Sequence, residues 1–248
     1  MSFHKFCLAT LVFAGMIAVG SSAADCSNAT LNGVYGVLSS GLDGAGEPAT
    51  SISQFTADGA GNITGLVTKS KDGTIFNYTS TGTYSIAKNC TGTITATNQD
   101  GSLRHDNFVL DDTHKGAQAI QTDSGHVQAA FVLPEGTVTC GLTGKKATFA
   151  LNLTGTVIGT GQVAYVGQVT FDGKGNLSGS LTASLAGTIV TAAITGTYTA
   201  NSNCTGTAQI TPSGYPTADF NSVVVNAGKE LLLIETDSNT IVSGIMQQ

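Results

Sequence analysis

Side chains that could transfer a proton or attack a bond are few in this chain, and their spacing matches no catalytic motif. His105, His114 and His126 all lie in the first half of the sequence, while the second half has no histidine. Because the two halves repeat each other, as described below, a Ser-His-Asp arrangement present in both is excluded. His105, which stands between Arg104 and Asp106, is predicted to lie in an exposed turn before a strand. We therefore predict no catalytic residues.

Carboxylates could act as an acid–base pair or as metal ligands, and the acid–base pair is considered first. Glu235 and Asp237 alternate, so on a strand their side chains can face one side together. Their repeat counterparts are Gln121 and Asp123, and the exchange of Glu for Gln does not suit a paired acid and base. We predict instead that Asp123 and Asp237 cap the hairpin turn that follows each of them.

Metal binding is the other possibility. Asp58 and Asp172 each begin an Asp-Gly-x-Gly-Asn loop. Calcium prefers about six to eight oxygen ligands, whereas each loop supplies one carboxylate. The Asp-Gly and Gly-Asn steps are typical of tight hairpins, so we predict turns, no metal site and no cofactor.

Aromatic residues at equivalent places in the two halves are the best candidates for lining a ligand cavity. They fall into three pairs, the last of which requires a two-residue gap: Tyr35 with Phe149, Tyr84 with Tyr198, and Phe108 with Phe220. Such residues can line a pocket for an apolar ligand or form the packed core of a small barrel. The packed core is the simpler interpretation, and these six are the candidate ligand-binding residues.

The elements that position these residues occur twice. Cys26 and Cys90 are 64 positions apart, and Cys140 and Cys204 repeat this spacing 114 residues later. QFTADGAGNITG and QVTFDGKGNLSG fall on each other at the same offset, as do TGTYSIAKNCTGT and TGTYTANSNCTGT. A period this long indicates tandem domains, since solenoid units run about 20–50 residues. We assign the first copy to residues 25–136 and the second to residues 137–248.

The repeat also selects a pairing for the four cysteines. A duplicated domain should carry its own bridge, which predicts the disulfides Cys26–Cys90 and Cys140–Cys204. A zinc site is the alternative. It is disfavoured because there is no Cys-x-x-Cys spacing and no histidine near the second pair.

Each copy shows period-two alternation between turn signals and no convincing helical period. We predict eight antiparallel strands per copy, joined by short hairpins, of which Thr74–Ile86 is among the longest. A meander of this size closes readily into a barrel. The fold class is therefore all-β, with two tandem eight-stranded antiparallel meander barrels. A two-sheet sandwich is the alternative.

Residues 1–24 have the features of a secretory signal peptide. A basic start is followed by a short apolar run and then by Gly20-Ser21-Ser22-Ala23-Ala24. The apolar run falls short of the roughly 20 residues of a membrane span, although an uncleaved anchor is the alternative. We therefore predict a secreted or periplasmic protein with no membrane span after cleavage.

The overall charge limits the partners. The chain has 10 Lys and Arg against 16 Asp and Glu, a net charge of −6. Without a basic patch, nucleic acid and polybasic membrane binding are excluded as functions. The sequence does not indicate an oligomeric state.

The meander, with its opening Asn32-Gly33-Val34-Tyr35, resembles the calycin-like barrels, which include lipocalins, avidins and the allene oxide cyclase type. Calycins commonly open with Gly-x-Trp. Here Tyr35 stands in the first copy, Ala147 and Phe149 replace the motif in the second, and the chain has no tryptophan. The resemblance implies a barrel with an interior that can hold a ligand, but no ligand-binding residue is transferred from it. The duplicated layout also looks similar to that of exported bacterial proteins.

These observations favour an exported, non-catalytic protein that binds a small apolar or amphiphilic ligand inside a barrel. A structural or adhesive protein of the cell surface or matrix, with filled barrels, is the first alternative. A cyclase- or isomerase-type barrel enzyme is the second.

Overall fold

The computed structural model describes residues 25–113, 115–136, 140, 144 and 146–248. The predicted signal peptide and His114 lie outside these residues. Within the described part of the chain, no helix is both long and apolar enough to cross a membrane. The predicted fold class is confirmed, because the strands form two closed eight-stranded antiparallel barrels.

Barrel 1 is a meander in which each strand pairs with its neighbours in sequence and β1 closes the barrel on β8. Its strands are β1 Asn32–Leu42, β2 Pro48–Asp58, β3 Asn62–Lys71, β4 Thr74–Ile86, β5 Thr91–Asn98, β6 Leu103–Leu110, β7 Ala117–Gln121 and β8 Val127–Pro134. A short 3₁₀ helix, Asn28–Thr30, precedes β1.

Barrel 2 repeats this topology, and β9 closes it on β16. Its strands are β9 Ala147–Val157, β10 Gly161–Phe171, β11 Asn176–Leu185, β12 Thr188–Ala200, β13 Thr205–Pro212, β14 Ala218–Val225, β15 Glu230–Glu235 and β16 Thr240–Gln247. A 3₁₀ turn, Asn226–Gly228, joins β14 to β15.

One disulfide lies within each barrel, and the predicted pairing of Cys26 with Cys90 and of Cys140 with Cys204 is confirmed. Cys90 and Cys204 both adopt the left-handed backbone region, with φ of 66° and 62°. This conformation is uncommon for a residue with a side chain. In each turn the cysteine carbonyl also accepts a backbone hydrogen bond: Leu110 of β6 donates to Cys90, and Val224 of β14 donates to Cys204. The two repeats thus share their local geometry as well as their topology.

The barrels contact each other through two different outer faces. The docking face belongs to β14–β16 of barrel 2 and centres on Val223, Leu232 and Ile234, all 3% exposed or less. The receiving face belongs to β1–β3 of barrel 1 and includes Leu38 and Ile52. Burial of apolar side chains stabilises this contact by about 25 cal/mol per Å².

Polar contacts fix the alignment of the two faces. The Thr50 and Ser243 hydroxyls are 2.6 Å apart. The side chain of Asn221 donates to the Thr68 hydroxyl at 3.0 Å.

Candidate functional site

The repeat continues through the barrels without a gap, and the two-residue gap expected between Phe108 and Phe220 is wrong. In barrel 1, Thr91 pairs with Val109, and in barrel 2 the equivalent Thr205 pairs with Val223. The constant offset places Phe220 where barrel 1 has Asp106. Every interior position of one barrel therefore has a defined counterpart in the other.

The interior of barrel 1 carries a polar cluster. Arg104 and Asp106 lie two residues apart on β6, so both side chains point inward. The Arg104 guanidinium donates from Nε to Asp106 Oδ2 and from Nη2 to Asp106 Oδ1, at 2.9 Å each. Its Nη1 donates to Oε1 of Gln128 at 3.2 Å, and Ser39 donates to the same oxygen at 3.3 Å. Such a bidentate pair with its own hydrogen-bond partners is well satisfied.

This cluster, together with Tyr78 of β4, leaves little space in barrel 1. The interior cavity that Arg104, Asp106, Ser39 and Tyr78 help to line has a volume of about 100 Å³. Ligand cavities usually measure roughly 300–1,000 Å³. Barrel 1 is therefore nearly filled by its own side chains.

Barrel 2 has lost the cluster position by position. The replacements are Leu153 for Ser39, Ala192 for Tyr78, Ala218 for Arg104, Phe220 for Asp106 and Val242 for Gln128. Two of these changes put alanine where barrel 1 has a long side chain, and the larger Leu153 and Phe220 do not fill all of the space. The result is a cavity of about 510 Å³. It is lined by Leu151, Leu153, Val157, Thr160, Val163, Tyr165, Leu181, Ala183, Leu185, Val190, Ala192, Ile210, Pro212, Tyr215, Pro216, Thr217, Ala218, Phe220, Glu235, Asp237 and Thr240.

Glu235 is the buried polar group of this cavity. It pairs with Phe220 across β14 and β15 and faces inward with Leu231 and Leu233. The residue is only 9% exposed. Among the described residues, burial and the charge of Asp237 act on its carboxyl group, and no hydrogen bond contributes to its pKa.

Burial changes the charge state of Glu235. Desolvation, together with the nearby charge of Asp237, raises the pKa of this carboxyl to about 7. The phenol of Tyr165 also faces the cavity. Burial raises its pKa, and the charge of Glu235 raises it further. The cavity therefore combines an apolar wall with one carboxyl group that changes charge near neutral pH.

The six aromatic candidates lie in different surroundings. Tyr84 and Phe108 are packed in the core of barrel 1, and Phe149 and Tyr198 in that of barrel 2. Tyr35 lines the small cavity of barrel 1. Phe220 lines the large cavity of barrel 2. The structure thus brings one aromatic candidate next to Glu235.

The packed aromatic candidates make defined contacts in each barrel. In barrel 2, the ring of Phe171 lies edge-to-face with Phe149 at 5.5 Å and with Tyr198 at 4.8 Å. In barrel 1, the Tyr84 hydroxyl contacts the carbonyl oxygens of Asn28 and Leu31 at 2.9 and 2.6 Å.

Asp123 and Asp237 do not have the capping role that the sequence predicted. Each carboxylate accepts a hydrogen bond from the backbone at the start of an earlier strand: His105 donates to Asp123 at 3.0 Å, and Asp219 donates to Asp237 at 2.8 Å. The expectation of an exposed turn at His105 is also wrong. This residue is half-buried within β6, and its Nδ1 lies 2.7 Å from Asp123 Oδ1.

The Asp-Gly-x-Gly-Asn loops are hairpin turns, as predicted. Asp58 Oδ1 accepts hydrogen bonds from the backbone of Ala60 and Asn62, and Asp172 accepts equivalent bonds from Lys174 and Asn176. The side chain of Asn62, followed by these backbone groups, lowers the pKa of Asp58 to about 2. Each carboxylate therefore stabilises its turn through these hydrogen bonds.

Comparison with known proteins adds little to this geometry. No protein-family profile matches the chain, and no curated protein is similar to it in sequence. Among solved structures, kievitone hydratase from Nectria haematococca is similar at a TM-score of 0.29 and 9% identity, over 92% of this chain and 94% of that chain. A similarity this low supports no conclusion about fold or function. The closed barrels fit the topology of the calycin resemblance, and no family match supports that resemblance further.

Proposed function

We propose that the interior of barrel 2 binds a small, mostly apolar molecule without transforming it. The observation that carries this proposal is the cavity of about 510 Å³. Its volume lies in the usual range for ligand sites, and its wall combines many apolar side chains with few polar ones, as such sites do. Glu235 is then the polar anchor that orients the ligand.

Comparison of the barrel 2 interior with that of barrel 1 supports this proposal. Both barrels have the same topology, yet the interior of barrel 1 is closed by Tyr78 and the Arg104–Asp106 pair. A packed interior is the normal state of a small barrel. The space in barrel 2 is therefore a feature of its own side chains and not of the fold.

The two alternatives from the sequence are less well supported. A structural protein with filled barrels does not account for the cavity in barrel 2. A barrel enzyme needs reactive polar groups beside bound substrate. In barrel 1 the charged groups of Arg104 and Asp106 bind each other in a cavity of about 100 Å³. In barrel 2 the Glu235 carboxyl group has no His, Lys or Arg beside it among the described lining residues.

Substitution of Ala192 by Tyr tests the proposal, because it places in barrel 2 the residue that barrel 1 has at the same position. The matched control is Ala193→Tyr, the next residue on β12, which is exposed on the outer face. Binding of the neutral apolar fluorophore N-phenyl-1-naphthylamine is measured by its fluorescence increase. We expect Ala192→Tyr to weaken binding at least about tenfold, a loss of roughly 1.4 kcal/mol. Ala193→Tyr should leave it unchanged.

Two results would contradict the proposal. One is the absence of saturable binding by the wild-type protein. The other is an equal effect of both substitutions in variants whose circular dichroism and melting temperature match the wild type.

We also propose that the protein acts outside the cytoplasm. The two disulfides are compatible with an oxidising compartment. Residues 1–24 have the pattern of a signal peptide. Amino-terminal sequencing of protein recovered from the periplasm or medium should begin at Ala24 or Asp25.

A further inference from the structure

The charged groups that line the barrel 2 cavity are all acidic. Glu235 and Asp237 contribute carboxyl groups, and no Lys, Arg or His is present among the described residues of the wall. Tyr165 of β10 and Tyr215 at the mouth are the other titratable side chains there. The lining residues of β9, β11, β12, β13, β14 and β16 carry no charge. A bound molecule therefore meets negative charge only.

Burial of the ionised Glu235 carboxylate away from water costs free energy. A carboxylate removed from water requires compensation by hydrogen bonds or by an opposite charge. Among the described residues, neither a hydrogen bond nor an opposite charge acts on the carboxyl group of Glu235, which is 9% exposed and lines the cavity. The missing partner can instead come from the ligand.

We infer that barrel 2 selects amphiphiles whose polar end is a cation, such as an amine or quaternary ammonium group, and places that group against Glu235. This inference rests on the proposed function, because it names the ligand class of the same cavity. The second carboxylate, Asp237, lies on the same wall and strengthens the preference for positive charge. An anionic amphiphile would be repelled by both groups.

Binding of a cation in barrel 2 should depend on pH. Glu235, with a pKa of about 7, must ionise before it can attract a cation. The apparent affinity for a permanent cation is reduced by the fraction of protein that is not in the competent state. That affinity should therefore rise between pH 5.5 and pH 8.5, with an upper limit of about 30-fold set by the change in the ionised fraction. A neutral amphiphile should show little change.

Three ligands with the same alkyl chain test the inference: decyltrimethylammonium, decanol and decanoate, each used below its micelle concentration. Their affinities are measured by displacement of N-phenyl-1-naphthylamine from the wild-type protein, from Glu235→Gln and from Glu230→Gln. Glu230 begins the same strand, lies outside the cavity and accepts hydrogen bonds from Asn226 and Gln247. It is therefore the matched control.

At pH 8.5 we expect the cation to bind at least about tenfold more tightly than decanol. This preference should disappear in Glu235→Gln and persist in Glu230→Gln. Equal affinity for the cation and decanol, or a preference that survives Glu235→Gln, would overturn the inference and leave the proposed function intact. Tighter binding of decanoate than of the cation would also overturn it. If the fluorophore and all three chains failed to bind, the proposed function itself would be refuted.

Discussion

Substitution of Glu235 by Gln should make the protein more stable at alkaline pH. The carboxyl group has an ordinary pKa of 4.5, which burial and the nearby Asp237 raise to about 7 in the folded state. Folding therefore favours the protonated form. As the pH rises from about 4.5 to 7, the unfolded chain gains stability by ionising while the folded chain does not. The wild type loses stability over this window, and the loss stays constant at higher pH.

The size of the effect follows from the shift in pKa. Each pKa unit corresponds to about 1.36 kcal/mol, so a rise from 4.5 to about 7 costs the folded state about 3 kcal/mol at pH 8. Glutamine does not titrate and has nearly the shape of a protonated glutamic acid. The stability of Glu235→Gln minus that of the wild type should thus be close to zero at pH 4. It should grow to about 3 kcal/mol at pH 8.

Urea denaturation followed by circular dichroism at half-unit pH steps measures this difference. Other titrating groups affect both proteins equally and cancel in it. If the two barrels unfold separately, only the transition of barrel 2 should move. A difference that stays constant from pH 4 to pH 8 would refute the reasoning, because it would mean that Glu235 is not desolvated in the folded protein.

Three further predictions concern stability and shape. Asp106→Asn leaves the Arg104 guanidinium inside barrel 1 without its counter-charge and should destabilise that barrel by about 2 kcal/mol in urea; a change below about 0.5 kcal/mol would contradict a paired interior. Replacement of Cys26 and Cys90 by Ser opens a loop with a separation of 64 residues and should lower the unfolding free energy by about 4 kcal/mol. A decrease in unfolding free energy confined to barrel 2 would argue against the Cys26–Cys90 disulfide. Leu232→Asp puts a charge at the fully buried centre of the contact between barrels. The radius of gyration from small-angle X-ray scattering should then increase, and an unchanged value in a folded variant would contradict the contact.

Much of the fold could be predicted because two signals agree. Period-two alternation marks strands and their inward faces, and the internal repeat requires that each half fold in the same way. The repeat also selects the disulfides Cys26–Cys90 and Cys140–Cys204, which the structure confirms. The inward orientation of Glu235, Tyr84 and Tyr198 follows from the same alternation.

The cavity could not be predicted from that pattern. Alternation shows which side chains face inward, but not how much space their summed volumes leave. The difference between the barrels depends on a few exchanges, such as Ala192 for Tyr78 and Ala218 for Arg104, and their effect is visible only when all inward residues are placed together. The exchange of Gln121 for Glu235 argues against an acid–base pair shared by both copies, but it does not reveal the cavity around Glu235. The structure shows that the two barrels need not share one chemistry.

The contact between the barrels is heterologous, because it joins two different faces. The docking face of barrel 2 meets the receiving face of barrel 1, so the chain retains an unused counterpart of each face. An arrangement of this head-to-tail kind does not close on itself as a two-fold contact does, and it can in principle extend without limit. The unused docking face, on β6–β8 of barrel 1, still exposes Val109, Ile120 and Phe131 by 54%, 57% and 54%.

Both unused faces, however, lack a leucine at a central position. The free docking face has Gln118 where barrel 2 has Leu232, and the free receiving face has Asn152 where barrel 1 has Leu38. A further repeat added at either end would bury an amide group in place of an apolar side chain, and this costs free energy unless the amide finds a partner. Gln118 and Asn152 therefore disfavour a further contact of the same kind at either face.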